Sequence, residues 1–437
     1  MEDLRNYMHQ HTGVALSQDE LLAYLLWADD LICASGRVPD AQKQLDGLSV
    51  FCSKNRSFVN TIKTKYMAFG NVGKIRLFFN GTEIKRVGKY KYLGNMVREI
   101  NRAPSDPFTL NYEYLCNKAR GNIFSLLSKL KNVSPVYPKL RIYLFDRLIR
   151  PVLTYGSGVW GVSEQGRKEI DKIHLWYIRM VLGIKKNSSI YITLGDSGSL
   201  PPSLDVTISC INFAIRLEGM EHTQHDSLVY KAFKESVRLH NLGFNTWYSK
   251  TCQLAQKHNI SLNIRHNKNT IKQKIHNGFI QDWKQSIQDL DKHPLLRTYV
   301  HIKSEYRIEP FLTMIKNSKH RTALARFRAS SHTLEIERGR HTRPITPVEK
   351  RLCSECKLVE NEIHFLTQCK IFDTERMLLY QQISQKFPDF SALDSFCKFQ
   401  FMLTFNDENL LNLVAKFVYN GLEKRKLIST NSSLSSN

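Results

Sequence analysis

Two groups of residues in this chain of 437 have the types and spacing to do chemistry. The first is the adjacent pair Asp29-Asp30, set inside Ala23-Tyr24-Leu25-Leu26-Trp27-Ala28-Asp29-Asp30-Leu31-Ile32-Cys33-Ala34. Apolar residues flank both acids, and Tyr24, Trp27 and Ile32 favour extended backbone. The stretch therefore reads as strand, tight turn, strand, with both acids at the bend. Carboxylates between two buried strands need a positive partner. Mg²⁺ would supply it, because it takes oxygen ligands and shares them with substrate phosphates. A surface hairpin whose turn is acidic is the plainer reading of the same residues.

The second group is Cys353-Ser354-Glu355-Cys356, His364 and Cys369, the pattern C-x2-C-x7-H-x4-C. Three thiolates and one imidazole fill a tetrahedral Zn²⁺ shell and leave no open position, so such a site is structural. Ile363, Phe365 and Leu366 are placed to cover it. Metal affinity would help fold a segment too small for a core of its own. A chance succession of buried cysteines, or a redox Cys-x-x-Cys pair, accounts for the same pattern without zinc.

Just ahead of the cysteines, residues 316–351 carry ten Lys and Arg against three acids. Arg321, Arg326, Arg328, Arg338, Arg340 and Arg343 are the expected phosphate contacts, with Phe327 as a stacking face and His320, His332 and His341 interleaved. Guanidinium forks fit phosphate oxygens, and each neutralised phosphate releases counterions. A solvated helix face is the bland reading, although such faces usually mix Lys with Glu. The whole chain leans the same way: 63 Lys plus Arg against 40 Asp plus Glu, net +23. That balance favours a polyanion, RNA or DNA, over a small acidic substrate.

Three further global features narrow the class. Hydrophobic content of 42% argues for a folded chain. No apolar run approaches 18 residues and the N-terminus lacks a signal pattern, so no membrane partner is expected. Nine cysteines, an odd number in a long chain, do not read as a disulfide framework. They imply a reducing, intracellular compartment, with nucleus and cytoplasm not separable.

The order Trp27-Ala28-Asp29-Asp30, then Asn60-Thr61-Ile62-Lys63-Thr64-Lys65-Tyr66-Met67, then Tyr90-Lys91-Tyr92-Leu93-Gly94 resembles reverse transcriptases of LINE-type (non-LTR) retrotransposons. Ile149 to Ser157 resembles the same family, as do Arg351 to Cys369, Phe327 to His332 and Glu337 to Arg340. Trp27 stands where the family usually has Tyr or Phe. The resemblance implies RNA-templated nucleotidyl transfer by two metal ions. Asp29 and Asp30 would be Mg²⁺ ligands (Asp29 the more direct), and Lys63 would stabilise charge or give a proton near pyrophosphate. Tyr92, Leu93 and Gly94 would belong to the primer grip, and the zinc knuckle would hold template RNA or target DNA. Twenty residues ahead of the hairpin are too few for the fingers and the strand bearing the first catalytic Asp. The expectation is therefore a polymerase fragment inactive alone, which would pair with an upstream palm and fingers segment. The alternative is a non-enzymatic, zinc-dependent RNA/DNA-binding protein derived from a retrotransposon.

The elements that must position these groups read as α+β. By the resemblance, residues 1–103 would be a truncated polymerase palm, antiparallel strands with a helix and the primer-grip hairpin, and residues 1–20 show no core face. A helix follows Pro39-Asp40 with Leu45, Leu48, Phe51 and Cys52 on one side, and Asn60 to Phe69 alternates like a strand. Asn80-Gly81 turns a hairpin between Ile75–Phe79 and Thr82–Val87. Residues 104–194 are a thumb-like helical subdomain. One stripe runs from Leu115 to Leu130, a second helix from Pro138 to Arg150, and a third from Arg167 to Leu182. Residues 195–300 are a helical connecting region that opens on a Gly/Ser/Pro loop at 195–203. Residues 301–400 hold the basic region and zinc knuckle. Residues 401–437 give a helix around Leu410 to Leu422, then Lys424-Arg425-Lys426 and a disordered Ser/Asn tail.

Overall fold

The Asn80-Gly81 turn signal does form a turn, and the structure adds a second of the same kind. Asn80 and Gly81, both at positive φ (48° and 74°), join Phe78–Phe79 to Thr82–Glu83. Leu93 and Gly94 (45° and 81°) join Lys89–Tyr92 to Asn95–Arg98. Left-handed backbone at both turn residues matches the twist of the strands it connects. The acidic hairpin pairs Tyr24–Trp27 with Asp30–Cys33, Trp27 opposite Asp30. Its turn is therefore Ala28, at φ 54°, and Asp29. Asp30 is not at the bend, as expected, but opens the returning strand.

The computed structural model describes residues 2–8, 12–17, 20–70, 72–100, 106–131, 133, 137–221, 224, 226–264 and 267–434. Backbone packing groups the chain into two units that do not follow the five consecutive segments read from the sequence. The first comprises Met1–Asn117, Tyr155–Arg167 and Asp205–Lys272; the second comprises Lys118–Thr154, Lys168–Leu204 and Gln273–Asn437. Each boundary that the chain crosses between residues 109 and 154, 155 and 204, or 205 and 288 lies in or beside a helix.

The first unit holds all the named strands, as five separate two-stranded ribbons. Two-stranded ribbons are marginal alone and need an apolar partner. For the acidic hairpin that partner is the helix Val38–Lys54 and the N-terminal turn. Leu4, Met8, Phe51 and Cys52 form a buried cluster, and Tyr24, Leu26, Leu31 and Cys33 pack against it. Residues 1–20 therefore do present a core face, carried by Leu4 and Met8 four positions apart; His9 and His11 lie outside the described residues. Leu25 and Trp27 point outward, Trp27 being 69% exposed. The hairpin is thus buried on one face, not sandwiched. Asn60 to Phe69 is strand only at Lys65–Tyr66, which pairs in parallel with Lys85–Arg86. Farther along, Leu217, Tyr230 and Phe233 make a second small core with Phe213, Trp247 and Tyr248. Thr246 and Ser249 close a capping box on the helix Trp247–Lys257.

In the second unit the helix from Pro138 runs past Arg150 to Leu153, through a π-helical turn at Phe145–Ile149. Within Glu164–Leu182, Ile170, Ile173, Tyr177 and Ile178 are buried at helical spacing. The largest departure is at 195–203. The expected loop is a buried joint between the helices Ile190–Ser197 and Pro202–Glu218. A Cβ on Gly195 would lie 2.5 Å from the Tyr299 hydroxyl and 2.6 Å from the Trp283 ring. Gly198, at φ 63°, presses on the backbone of Arg307 and Ile308. These glycines allow close approach rather than slack. The C-terminal helix, Glu408–Leu434, continues through Lys424-Arg425-Lys426, and Arg425 is buried. Of the Ser/Asn tail, residues 435–437 lie outside the described residues.

Gly195→Ala should overpack this joint and cost about 1–3 kcal/mol. Urea unfolding followed by tryptophan fluorescence measures it, and a neutral substitution would mean the joint is looser than drawn.

Candidate functional site

The cysteine segment is folded so that four ligand atoms converge. Leu352 bridges Val359, Cys353 N–H donates to Leu358 O at 2.8 Å, and Lys357 takes positive φ (56°). That tight reversal turns Cys353 and Cys356 toward one point. His364 comes from the short helix Glu362–Thr367, capped by the Asn361 side chain, which accepts from His364 N–H. Cys369 follows directly, its N–H donating to His364 O. One ligand atom from each of Cys353, Cys356, His364 and Cys369 lies within 4.8 Å of every other. The Cys369 sulfur is 3.7 Å from that of Cys353 and 3.9 Å from that of Cys356. Zn–S bonds of about 2.3 Å in a tetrahedron place sulfurs about 3.8 Å apart, so the donor set fits zinc.

The local electrostatics are compatible with a bound cation. Burial pushes the Cys369 thiol pKa up, and the neighbouring Cys353 and Cys356 push it the same way. Burial lowers the His364 pKa, which favours the neutral imidazole that ligates metal. Both ring nitrogens of His364 are buried without a well-formed hydrogen bond. All nine cysteines are free thiols. Among the described residues this is the one group of three or more potential ligands gathered at metal-binding distance.

Buried charges brace the cluster on both sides. Glu360 is held by Arg425 from the C-terminal helix (2.6 and 3.1 Å) and accepts from Glu335 N–H. Glu362 meets Arg297 at 2.6 Å and His332 at 2.9 Å. Burial pushes the Glu362 carboxyl up, but Arg297 and the His332 hydrogen bond outweigh it and hold the pKa at about 2. Phe365 packs on Phe327, Phe372 and Phe417, and a Cβ on Gly421 would lie 2.7 Å from its ring. The aromatic cover is therefore built partly from a helix fifty residues on. None of Arg297, Glu360 or Arg425 carries a sequence signal that marks it for this role.

The six arginines expected at phosphates divide by environment. Arg328 is buried, bonded to Asp196 at 3.0 and 3.2 Å, with Glu309 at 3.0 Å. Burial works against its charge, yet Asp196 and Glu309 raise its pKa overall. It cannot reach a polyanion, which corrects the expectation for Arg328. Phe327 is likewise buried, against Phe365 and His332, and offers no stacking face. Arg321 donates to Ile315 O at 2.6 Å and Arg340 to Pro294 O at 3.2 Å, both half-buried. Arg326, Arg338 and Arg343 are exposed; Arg326 donates to Gly183 O, and Arg338 pairs with Glu335.

In the first unit the acidic hairpin and its downstream motifs are neighbours. Asp29 and Asp30 are exposed. The Tyr92 pKa is raised by burial and then by the nearby Asp30 carboxylate. Tyr90 O–H lies 3.5 Å from Lys63 O, while the Asn60 side chain accepts from Lys63 N–H at 3.0 Å. The Lys63 side chain is exposed. Tyr155 O–H donates to Leu93 O at 2.9 Å, and a Cβ on Gly94 would lie 2.8 Å from the Tyr155 ring. Gly156, at φ 66°, lies against the Asn95 side chain. So Tyr92-Leu93-Gly94-Asn95 and Tyr155-Gly156, read separately in the sequence, form one joint. Two exposed carboxylates at the hairpin, with no third acid gathered beside them among the described residues, fall short of a complete magnesium shell.

Against known proteins, no family model matches the chain. It is 26% identical over 169 residues to an uncharacterized transposon-derived protein of Caenorhabditis elegans. The match covers 37% of this chain, and the chain spans 57% of that protein's length. Among the described residues no helix is long and apolar enough to cross a membrane.

The purified chain should contain about one equivalent of zinc by elemental analysis, lost in Cys353→Ser along with thermal stability. Retention of zinc by that variant would place the metal elsewhere. Arg328→Ala should cost about 3–5 kcal/mol in urea unfolding, because it strands Asp196 and Glu309 in the interior. A purely surface role for Arg328 predicts almost none.

Proposed function

We propose that this chain is a transposon-derived nucleic-acid-binding protein of LINE-type reverse-transcriptase descent, whose second unit is folded around a structural zinc ion. The observation that carries this is the convergence of Cys353, Cys356, His364 and Cys369 within 4.8 Å, in a chain of net charge +23. The metal would be held by those four residues and would supply charge balance and cross-linking, with no open position for catalysis. The relative described above supports transposon derivation. The descent from a reverse transcriptase rests on the motif order and on the way the acidic hairpin, Lys63 and the Tyr92-Leu93-Gly94 turn lie together.

That juxtaposition also favours a second reading, in which the first unit contributes to RNA-directed DNA polymerisation. Asp29 and Asp30 would then offer metal-binding oxygens, Lys63 a positive charge, and the Tyr92-Leu93-Gly94 turn a rest for the primer strand. A further carboxylate must join them before the set is complete. RNA and DNA are partners under either reading.

The two readings part on mutation. Under the first, Asp29→Ala leaves nucleic-acid affinity within about twofold, while Cys353→Ser weakens it by tenfold or more. Affinity should also fall log-linearly with salt, with a slope of about −2 to −3 for three or four phosphate contacts to a single strand. Electrophoretic mobility shifts across a salt series check all three. Robust Mg²⁺-dependent extension of a primed RNA template, abolished by Asp29→Ala, would establish the second.

A further inference from the structure

The second unit contains a cavity of about 470 Å³ between the helix Ser318–Arg328, the C-terminal helix Glu408–Leu434 and the segment around Lys185. Four cations line it: Lys185, Lys319, Arg326 and Lys426, against a single acid, Glu423. Glu423 is already paired with Lys426. Among the described residues no carboxylate lies within ion-pair distance of Lys185, Lys319 or Arg326, so their charge is uncompensated. Like charges facing one space repel, and the arrangement is stable only with an anion between them or with water screening it.

The cations are not gathered by chance side-chain posture. Gly183, at φ 69°, brings its chain against Thr322. Arg326 Nε donates to Gly183 O at 2.7 Å, which fixes the guanidinium while leaving its outer nitrogens unspent. Lys185 N–H donates to Ser331 Oγ at 3.1 Å. Residues 183–185 are therefore fastened to a helix about 140 positions later, and Lys185 is carried to the same rim as Lys319 and Arg326. Tyr419 also lines the cavity, its ring 5.2 Å from that of His320. Burial and the nearby Lys416 lower the His320 pKa. Phosphate-seeking cations beside an aromatic face are what a single nucleic-acid strand requires: charge for the backbone and a platform for a base. The cavity is in the size range of small-ligand clefts and too small to enclose a duplex.

We infer that this cavity is the seat of a single nucleic-acid strand, with phosphates on Lys185, Lys319 and Arg326 and a base against Tyr419. The inference rests on the nucleic-acid-binding reading above and narrows it to one place. Of the six arginines read from the sequence, only Arg326 belongs to it; Lys319 joins it from the same helix, and Lys185 and Tyr419 enter from other segments. Its integrity depends on zinc, since Tyr419 and Gly421 share a helix and Gly421 lies against Phe365 of the ligand helix.

The test is fluorescence anisotropy of the full chain with a labelled oligo(dT) of about 15 nucleotides across a salt series. Lys185→Gln with Lys319→Gln should weaken binding about tenfold and flatten the log-log salt slope by about 1.4, since each of the two lost phosphate contacts removes about 0.7. Tyr419→Ala should weaken it about tenfold with the slope unchanged, and Tyr419→Phe should restore it. Arg338→Gln with Arg343→Gln, on exposed surface elsewhere, should change little. Wild-type binding that the Lys185 and Lys319 changes leave intact would overturn the assignment of the groove but not nucleic-acid binding. Equal loss from the Arg338 and Arg343 changes would do the same. Poly-glutamate competing as well as oligo(dT) at equal charge would replace the strand with an acidic protein partner. Absence of any binding by the unaltered chain at low salt would defeat this inference and the functional reading together.

Discussion

Three thiols and an imidazole drawn into one buried point form the constraint on which the second unit depends. Without a cation the sulfurs cannot share that point as thiolates, and the Cys369 thiol is held protonated by burial and by its neighbours. With one, the loop at 353–357, the helix Glu362–Thr367 and the turn after it become a single cross-linked body. Phe365 then has a fixed place from which to organise Phe327, Phe372 and Phe417. The C-terminal helix is packed on that aromatic group, and Gly421 is the residue that allows it so close. A small ligand cluster thereby orders elements from residue 297 to residue 425.

The buried acids around the cluster have a different job. Glu360 and Glu362 each meet a distant arginine, Arg425 and Arg297. Replacing such pairs with apolar residues often costs nothing, so their worth is not chiefly stability. Arg425–Glu360 ties the segment before the ligand helix to the C-terminal helix, and Arg297–Glu362 ties the ligand helix itself to the segment at 297. Asp196, Arg328, Glu309 and Lys303 make a second buried network of the same kind. Arginine thus serves two opposite ends within 13 residues of chain: Arg328 locks an interior, while Arg326 and Arg338 face water.

The first unit solves a different problem. Its ribbons are too small to stand alone, so each leans on something else. The acidic hairpin leans on Val38–Lys54 and on Leu4 and Met8; the Lys89–Arg98 hairpin leans on Tyr155. The consequence is that Asp29, Asp30, Lys63 and Tyr90 to Gly94 lie on one exposed neighbourhood of the unit.

Local chemistry was readable from the residues alone wherever it depends on near neighbours. The Asn80-Gly81 turn and the helical stripe at 115–130 are decided within a few positions, and the spacing of the four Cys and His ligands within seventeen. The placement of the acid pair was partly readable: the hairpin forms, but one-residue register moved Asp30 off the bend. What no local pattern carries is burial. Gly195 to Ser203 has the composition of a linker, yet the ring of Trp283 and the backbone of Arg307 fill the space its glycines leave. Arg328 and Arg326 are indistinguishable in a charge count, and only Asp196, 132 positions earlier, makes one of them structural. Spacing determines which side chains can share a ligand; tertiary packing decides which charges remain for a partner, because desolvation depends on atoms far away in the chain.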